Sequence, residues 1–118
     1  MNNRYSGIEG EHLAVEYLKK SGYKILERNF TTKIGEIDII AQDKNYLVFV
    51  EVKSRNNTQF GFPVESVTAQ KARKIIRVAE WYILYKKKQN CLCRFDVIEV
   101  LRGEINHIKN AYNRSDLY

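Results

Sequence analysis

Apolar residues fall in two rhythms along this chain, and the changes of rhythm mark its elements. Between residues 7 and 20 they keep helical spacing, with Ile8, Ala14, Val15 and Leu18 forming one stripe. Ser6 fits the N-cap of that helix, with Glu9 three residues on, and Gly22 fits its C-terminal stop. Residues 23–30 read as a first strand. From Gly35 onward, Gly-Glu-Ile-Asp-Ile-Ile-Ala and Tyr-Leu-Val-Phe-Val-Glu-Val-Lys-Ser-Arg flank a polar break at Asp43-Lys44-Asn45. Two arms rich in Ile, Val and aromatics around a short break predict a β-hairpin. A loop with Gly61 and Pro63 follows, and its Phe60 and Phe62 read as pins holding it to the domain. Helical spacing returns over residues 66–87, where Ser66 or Thr68 can cap and Ala72, Ile75, Ile76, Ala79, Trp81, Tyr82 and Ile83 give a broad apolar surface. Residues 92–101 alternate as a strand, Arg102-Gly103-Glu104 makes a tight turn, and residues 105–108 pair back as a short strand. The pattern predicts a single domain over 1–118, with its core from about residue 7 to 109 and a tail at 110–118.

The hairpin carries the candidate chemistry. Side chains alternate across a strand, so Glu36, Asp38 and Ile40 share one face of the first arm, and Leu47, Phe49, Glu51 and Lys53 share one face of the second. A loop centred between Lys44 and Asn45 sets Asp38 opposite Glu51 and Glu36 opposite Lys53. Like charges across a ladder repel, and an unpaired buried carboxylate costs more still. A divalent cation removes that cost, because hard oxygen ligands from two strands suit Mg²⁺ or Mn²⁺. The plainer alternative is an exposed cross-strand pair of Glu36 with Lys53, leaving Asp38 solvated. Glu11 falls inside the apolar stripe of the first helix, between Leu18 and Val15, and either joins the hairpin carboxylates or reaches past the core to solvent.

Composition narrows the setting. The formal net charge is +6 although several carboxylates gather in one patch, so the remaining surface is more basic than the total. Gln70, Lys71, Arg73, Lys74 and Arg77 crowd the early turns of the second helix, where backbone N–H groups and basic side chains together favour phosphate oxygens. The alternative is a solvated face. Lys86-Lys87-Lys88 suits the negative end of that helix. Asp96 is expected in a structural ion pair with Arg94 or a helix. No apolar run approaches the roughly 20 residues of a membrane span. Cys91 and Cys93, one residue apart, suit neither a disulfide framework nor a zinc site, which predicts a reduced, cytoplasmic setting.

Helix, strand, hairpin, helix, strand, strand is the order of the restriction-endonuclease-like αβββαβ core, a mixed central sheet flanked by helices. Asp38, twelve intervening residues and then Glu51-Val52-Lys53 resemble the motif of PD-(D/E)XK nucleases. Ile37 stands where that motif often has proline. With Glu11 on a preceding helix, the arrangement resembles archaeal Holliday-junction resolvases. Gly10-Glu11 with Ala14, Arg28-Asn29-Phe30, Gly35-Glu36-Ile37-Asp38, Val48 to Lys53 and Thr68 to Lys71 look like the pattern of the YraN family of small bacterial proteins. The similarity covers roughly residues 7 to 112. It implies a Mg²⁺- or Mn²⁺-dependent endonuclease acting on DNA, structure-selective for branched or junction substrates. Asp38 and Glu51 would hold the metal, the Val52 carbonyl would be a further ligand and Glu11 would complete the shell. Lys53 would orient or deprotonate water, and Glu36 would either join the site or neutralise Lys53. Two other readings stand beside this one. One is a non-catalytic nucleic-acid-binding module on a nuclease-like scaffold; the other is a protein-interaction domain using Trp81, Tyr82 and Tyr85. Self-association as a homodimer stays open.

Overall fold

Helix α1 (Asn3–Lys20) leads into strand β1 (Lys24–Thr31), the hairpin β2 (Glu36–Asp43) and β3 (Tyr46–Arg55), helix α2 (Ala69–Tyr85), and the pair β4 (Leu92–Leu101) and β5 (Glu104–Tyr112). A short 3₁₀ turn, Arg114–Asp116, follows. This computed structural model describes residues 3–55 and 68–116. Ser66, Phe60, Phe62 and Pro63 therefore lie outside the described residues. The strands form one sheet in the order β1-β2-β3-β4-β5. Neighbours are antiparallel except β3 and β4, which run parallel with α2 as their crossover. The chain is thus a mixed α/β protein whose five-stranded sheet is flanked by two helices, consistent with a restriction-endonuclease-like core. Among the described residues, no helix is long and apolar enough to cross a membrane.

The two faces of the sheet are buried by different helices. Ala14, Val15 and Leu18 of α1 pack on Ile39, Ala41, Val48, Val50, Ile98 and Val100. Ile75, Ile76, Val78, Ala79 and Tyr82 of α2 pack on Ile40, Leu47, Phe49 and Phe95. Strands β3 and β4 are covered on both sides, which is why Leu47 to Val50 is a continuous apolar run rather than an alternating one.

The ends of the elements follow local chemistry in most places. Gly22 closes α1 at φ 91°, with Tyr23 N donating to Leu18 O at 2.9 Å and Gly22 N to Lys19 O at 3.0 Å, the paired bonds of a Schellman stop. Thr68 caps α2, its hydroxyl accepting from Lys71 N at 3.1 Å. Arg102 (φ 53°) and Gly103 (φ 83°) turn β4 back into β5.

Three expectations are corrected. Helix α1 starts at Asn3, so Ser6 lies within it and is not its cap; no proline between residues 3 and 7 forces a later start. Helix α2 ends at Tyr85 rather than Lys87. Residues 110–112 are not tail. They extend β5, because β4 has backbone groups to pair along its whole length, and a bulge between Phe95 and Val97 brings Tyr112 opposite Phe95. The two rings stack with centroids 5.4 Å apart.

Candidate active site

The hairpin register is the expected one from Asp43↔Tyr46 through Ile39↔Val50. There the backbone ladder ends. Beyond it the Asp38 carboxylate accepts the Val52 N–H at 2.8 Å, a side chain taking a donor between strands that part company. Strand β3 continues to Arg55 alongside β4. The parting opens a cleft of about 550 Å³. Glu36, Asp38 and Glu51 line one side of it, and Thr68, Gln70, Lys71 and Lys74, from the start of α2, line the other.

Asp38 and Glu51 thus share one cleft, as the register requires. Glu51 is only 6 % exposed, and two lysine side chains face it there. Lys71 Nζ lies 2.6 Å and Lys53 Nζ 3.4 Å from its Oε1. Burial first, and the Glu51 charge second, push the Asp38 carboxyl up to about 7. Burial, then the neighbouring Lys71 ammonium, hold Lys53 below the ordinary lysine range. Burial works the same way on Lys71, but its bond to Glu51 prevails and holds it up.

Glu11 arrives from the other helix. Its Oε1 is buried with no hydrogen-bond partner among the described residues. Burial raises its pKa, and the charges of Glu36 and Glu51 add to that, while Arg28 and Asn29 oppose it. Gly10 makes this approach feasible: a Cβ there would lie 2.7 Å from the Cβ of Ser54 on β3, so only glycine lets α1 lie this close to the strand. Of the sequence candidates, Glu11, Asp38, Glu51 and Lys53 therefore gather in one electrostatic neighbourhood. Glu36 lines the cleft but is exposed, and its ladder partner is Thr31. The expected Glu36–Lys53 pair does not form among the described residues, because the β2–β3 ladder ends before reaching it; Lys53 faces Glu51 and Lys71 instead.

The basic residues of α2 divide. Lys71 and Lys74 reach the cleft. Gln70, Arg73, Lys74 and Arg77 line a second groove of about 400 Å³ on the outer side of the helix. The bond from Lys71 to Glu51 was not legible in the sequence, where Lys71 reads as one more phosphate contact. Its place in the first turn of α2, where Thr68 Oγ1 accepts the Lys71 N–H at 3.1 Å, is the only local signal.

A second polar cluster lies apart from the cleft. Asp96, fully buried, accepts from Arg94 Nε at 2.9 Å and Nη2 at 3.1 Å, lies 2.7 Å from His107 Nε2, and accepts from Asn110 N at 3.0 Å. Tyr17 Oη lies 2.9 Å from His107 Nδ1, and Arg94 Nη2 donates to Tyr23 Oη at 2.7 Å. Burial pushes the Asp96 carboxyl up, but its bonds to His107, Arg94 and the Asn110 amide prevail and hold it below the usual range. This satisfied network matches the structural ion pair expected of Asp96.

The donors of the cleft suit a hard divalent cation. Asp38, Glu51 and Glu11 offer carboxylate oxygens alone, and Glu11 Oε1 lacks a protein donor. Among the described residues, no three acidic, histidine or cysteine groups form a ready cage. Mg²⁺ is ordinarily held by one or two carboxylates together with waters and substrate phosphate, so the Asp38 and Glu51 pair fits it.

Residues 10–100 match the family model described as "Uncharacterised protein family UPF0102". The chain is similar to a UPF0102 protein of Clostridioides difficile, 54% identical over 114 residues, covering 95% of this chain and 100% of the relative. It is also similar to one from Caldicellulosiruptor saccharolyticus, 51% identical over 118 residues, with 95% and 100% covered. A third, from Persephonella marina, is 50% identical over 107 residues, covering 91% of this chain and 92% of the relative.

Proposed function

This chain belongs to the uncharacterised protein family UPF0102, the YraN family, and we propose that it is a metal-dependent endonuclease hydrolysing DNA phosphodiester bonds in the cleft between β2, β3 and the start of α2. The observation that carries this reading is the meeting of Asp38 and Glu51 where the hairpin parts, with Lys53 on Glu51 and the unpartnered oxygen of Glu11 beside them.

Asp38 and Glu51 would hold Mg²⁺ or Mn²⁺, with Glu11 completing the shell and the Val52 carbonyl as the further ligand that the family resemblance implies. When bound, the ion supplies Lewis acidity at the scissile phosphate and a more acidic water. Lys53 Nζ, beside Glu51, would take the proton of the attacking water or face the charge that develops on the phosphoryl oxygens. Lys71 neutralises Glu51 at 2.6 Å and is the side chain that must yield this carboxylate to the metal. Lys74, on the rim, meets the phosphate backbone.

The test is incubation of pure protein with branched, flapped, single-stranded and duplex DNA in Mg²⁺, Mn²⁺ or EDTA. Wild type cuts with metal alone. Lys53→Ala lowers cleavage by at least about 100-fold, the scale of a lost general base, and leaves DNA affinity largely intact because that side chain acts in the transition state rather than in ground-state binding. Salt-dependent binding without scission in either metal overturns the catalytic reading and leaves a non-catalytic nucleic-acid-binding module. That outcome has its own structural footing, since Lys71 already answers the charge of Glu51 without an ion.

A further inference from the structure

The outer face of α2 joins two chemistries along one line. Gln70, Lys74, Arg77, Trp81 and Tyr85 follow each other at spacings of three and four residues, so they form a single stripe opposite the buried Ala72, Ile75, Ile76, Ala79 and Tyr82. The stripe begins at the cleft, where Lys74 is part of the lining, and runs from basic to aromatic. Trp81 is 46% and Tyr85 61% exposed. Their rings stack 4.9 Å apart at 15°, and Phe30 of the edge strand β1 braces Trp81 from 5.8 Å. Beyond this pair the Lys86 ammonium lies over the Tyr85 ring, 5.1 Å from its centroid, and adds a cation at the end of the stripe.

We infer that this stripe is a track for an unpaired strand, with phosphates on Lys74 and Arg77 and a base stacked on the Trp81–Tyr85 ladder, so that the nucleic acid entering the cleft has single-stranded character on that side. The inference rests on the proposed function for the identity of the ligand, and it deepens that reading by naming the substrate class. Rings exposed beside cations meet the two demands of a single strand, stacking for bases and charge for phosphates. A duplex keeps its bases inside and has no use for an exposed ring ladder. A second copy of this chain is disfavoured by charge. The stripe is basic, and Glu80 at its margin is 3.5 Å from Arg114, so two such faces would repel. At 1.5 Å per residue, Lys74 and Tyr85 are about 16 Å apart along the helix.

The experiment measures binding by fluorescence anisotropy in EDTA, using one labelled oligonucleotide as a single strand, as a blunt duplex and as a fork. EDTA separates this test from catalysis. Wild type should bind the single strand and the fork at least about tenfold more tightly than the duplex. Tyr85→Ala and Trp81→Ala should each weaken single-strand binding about 5- to 100-fold and duplex binding by less than about twofold, abolishing the preference. Tyr85→Phe and Trp81→Phe should keep it. Lys74→Ala should weaken all three ligands alike. Trp81 is the only tryptophan, so its fluorescence should change with the single strand and not with the duplex. Equal affinity for single strand and duplex in the wild type overturns the inference while leaving the nuclease reading standing. A change of oligomeric state in Tyr85→Ala with DNA binding untouched also overturns it, and makes the ladder an interface between copies. Binding of no DNA in EDTA overturns the inference, and the cleavage assay in Mg²⁺ or Mn²⁺ decides the nuclease reading separately.

Discussion

Asp38 shows how one residue records the tension of the cleft. Its carboxyl is raised to about 7 from an ordinary 3.8, so the folded protein holds a proton there that the unfolded chain releases. A folded-state pKa above the unfolded value gives stability that is complete below about pH 4 and is lost as pH rises through about 7. Metal-free wild type should therefore lose stability across that window, and Asp38→Asn, which cannot titrate, should not. At pH 8 without metal the variant should be roughly 1–2 kcal/mol more stable, a rise in Tm of about 4–8 °C per kcal/mol. Added Mg²⁺ or Mn²⁺ should then stabilise wild type by mass action and the variant much less. Thermal melts from pH 4 to 8, with and without metal, read both effects. A variant whose metal response equals wild type would remove Asp38 from the ligand set.

At the scale of elements, the approach of α1 to β3 decides whether Glu11 belongs to the site. Gly10 permits it, and the atom a new Cβ would strike is the Cβ of Ser54 at 2.7 Å, which belongs to a strand and cannot swing aside. Gly10→Ala should push the helix outward and cost about 1–3 kcal/mol, the scale of overpacking a tight contact. The proposed nuclease activity should fall further than stability predicts, because Glu11 retreats with the helix. Chemical denaturation paired with a cleavage assay at a temperature where the variant is fully folded separates the two. Unchanged activity in a destabilised variant would show that Glu11 is not needed. The order and type of elements were legible in the sequence because each has its own apolar rhythm, and the hairpin register was legible because a two-residue loop leaves one alternative. The length of β5 was not. Residues 110–112 have weak local preference, and they are strand because β4 offers partners and Phe95 offers Tyr112 a ring to stack on.

Across the whole molecule, charge is sorted by region. A net +6 coexists with a carboxylate-lined cleft; Lys71 and Lys74 of α2 line that cleft, and Arg73 and Arg77 line the neighbouring groove. Outside the cleft lining, the Asp96 network ties β4, β5, α1 and Tyr23 together. Asp96 has a folded-state pKa below its ordinary value, so its contribution is present above about pH 4 and is lost as pH falls through the folded value. Asp96→Asn should cost about 3–5 kcal/mol at pH 7, the scale of breaking a buried ion pair by removing one partner. That deficit should shrink as pH falls from 4 toward 2. Urea titrations at pH 7, 4 and 2.5 measure it, and a deficit independent of pH would mean that shape rather than charge is what Asn lacks.

The sequence by itself determined the two helices, the strands and their order, and the placing of Asp38 beside Glu51, because periodicity and loop length are local properties that act through the backbone. It also determined that Glu11 lies on an inward stripe. Only the tertiary structure decided where the β2–β3 ladder ends, and hence that Lys53 turns to Glu51 rather than Glu36. It alone gave Lys71 to Glu51, buried Tyr82 while leaving Trp81 and Tyr85 in a stacked, exposed ladder, and drew Tyr17, Arg94 and Asn110 around Asp96 and His107. These contacts join residues far apart in the chain. They depend on how closely a helix lies on a sheet and on where two strands separate, distances that no periodicity encodes.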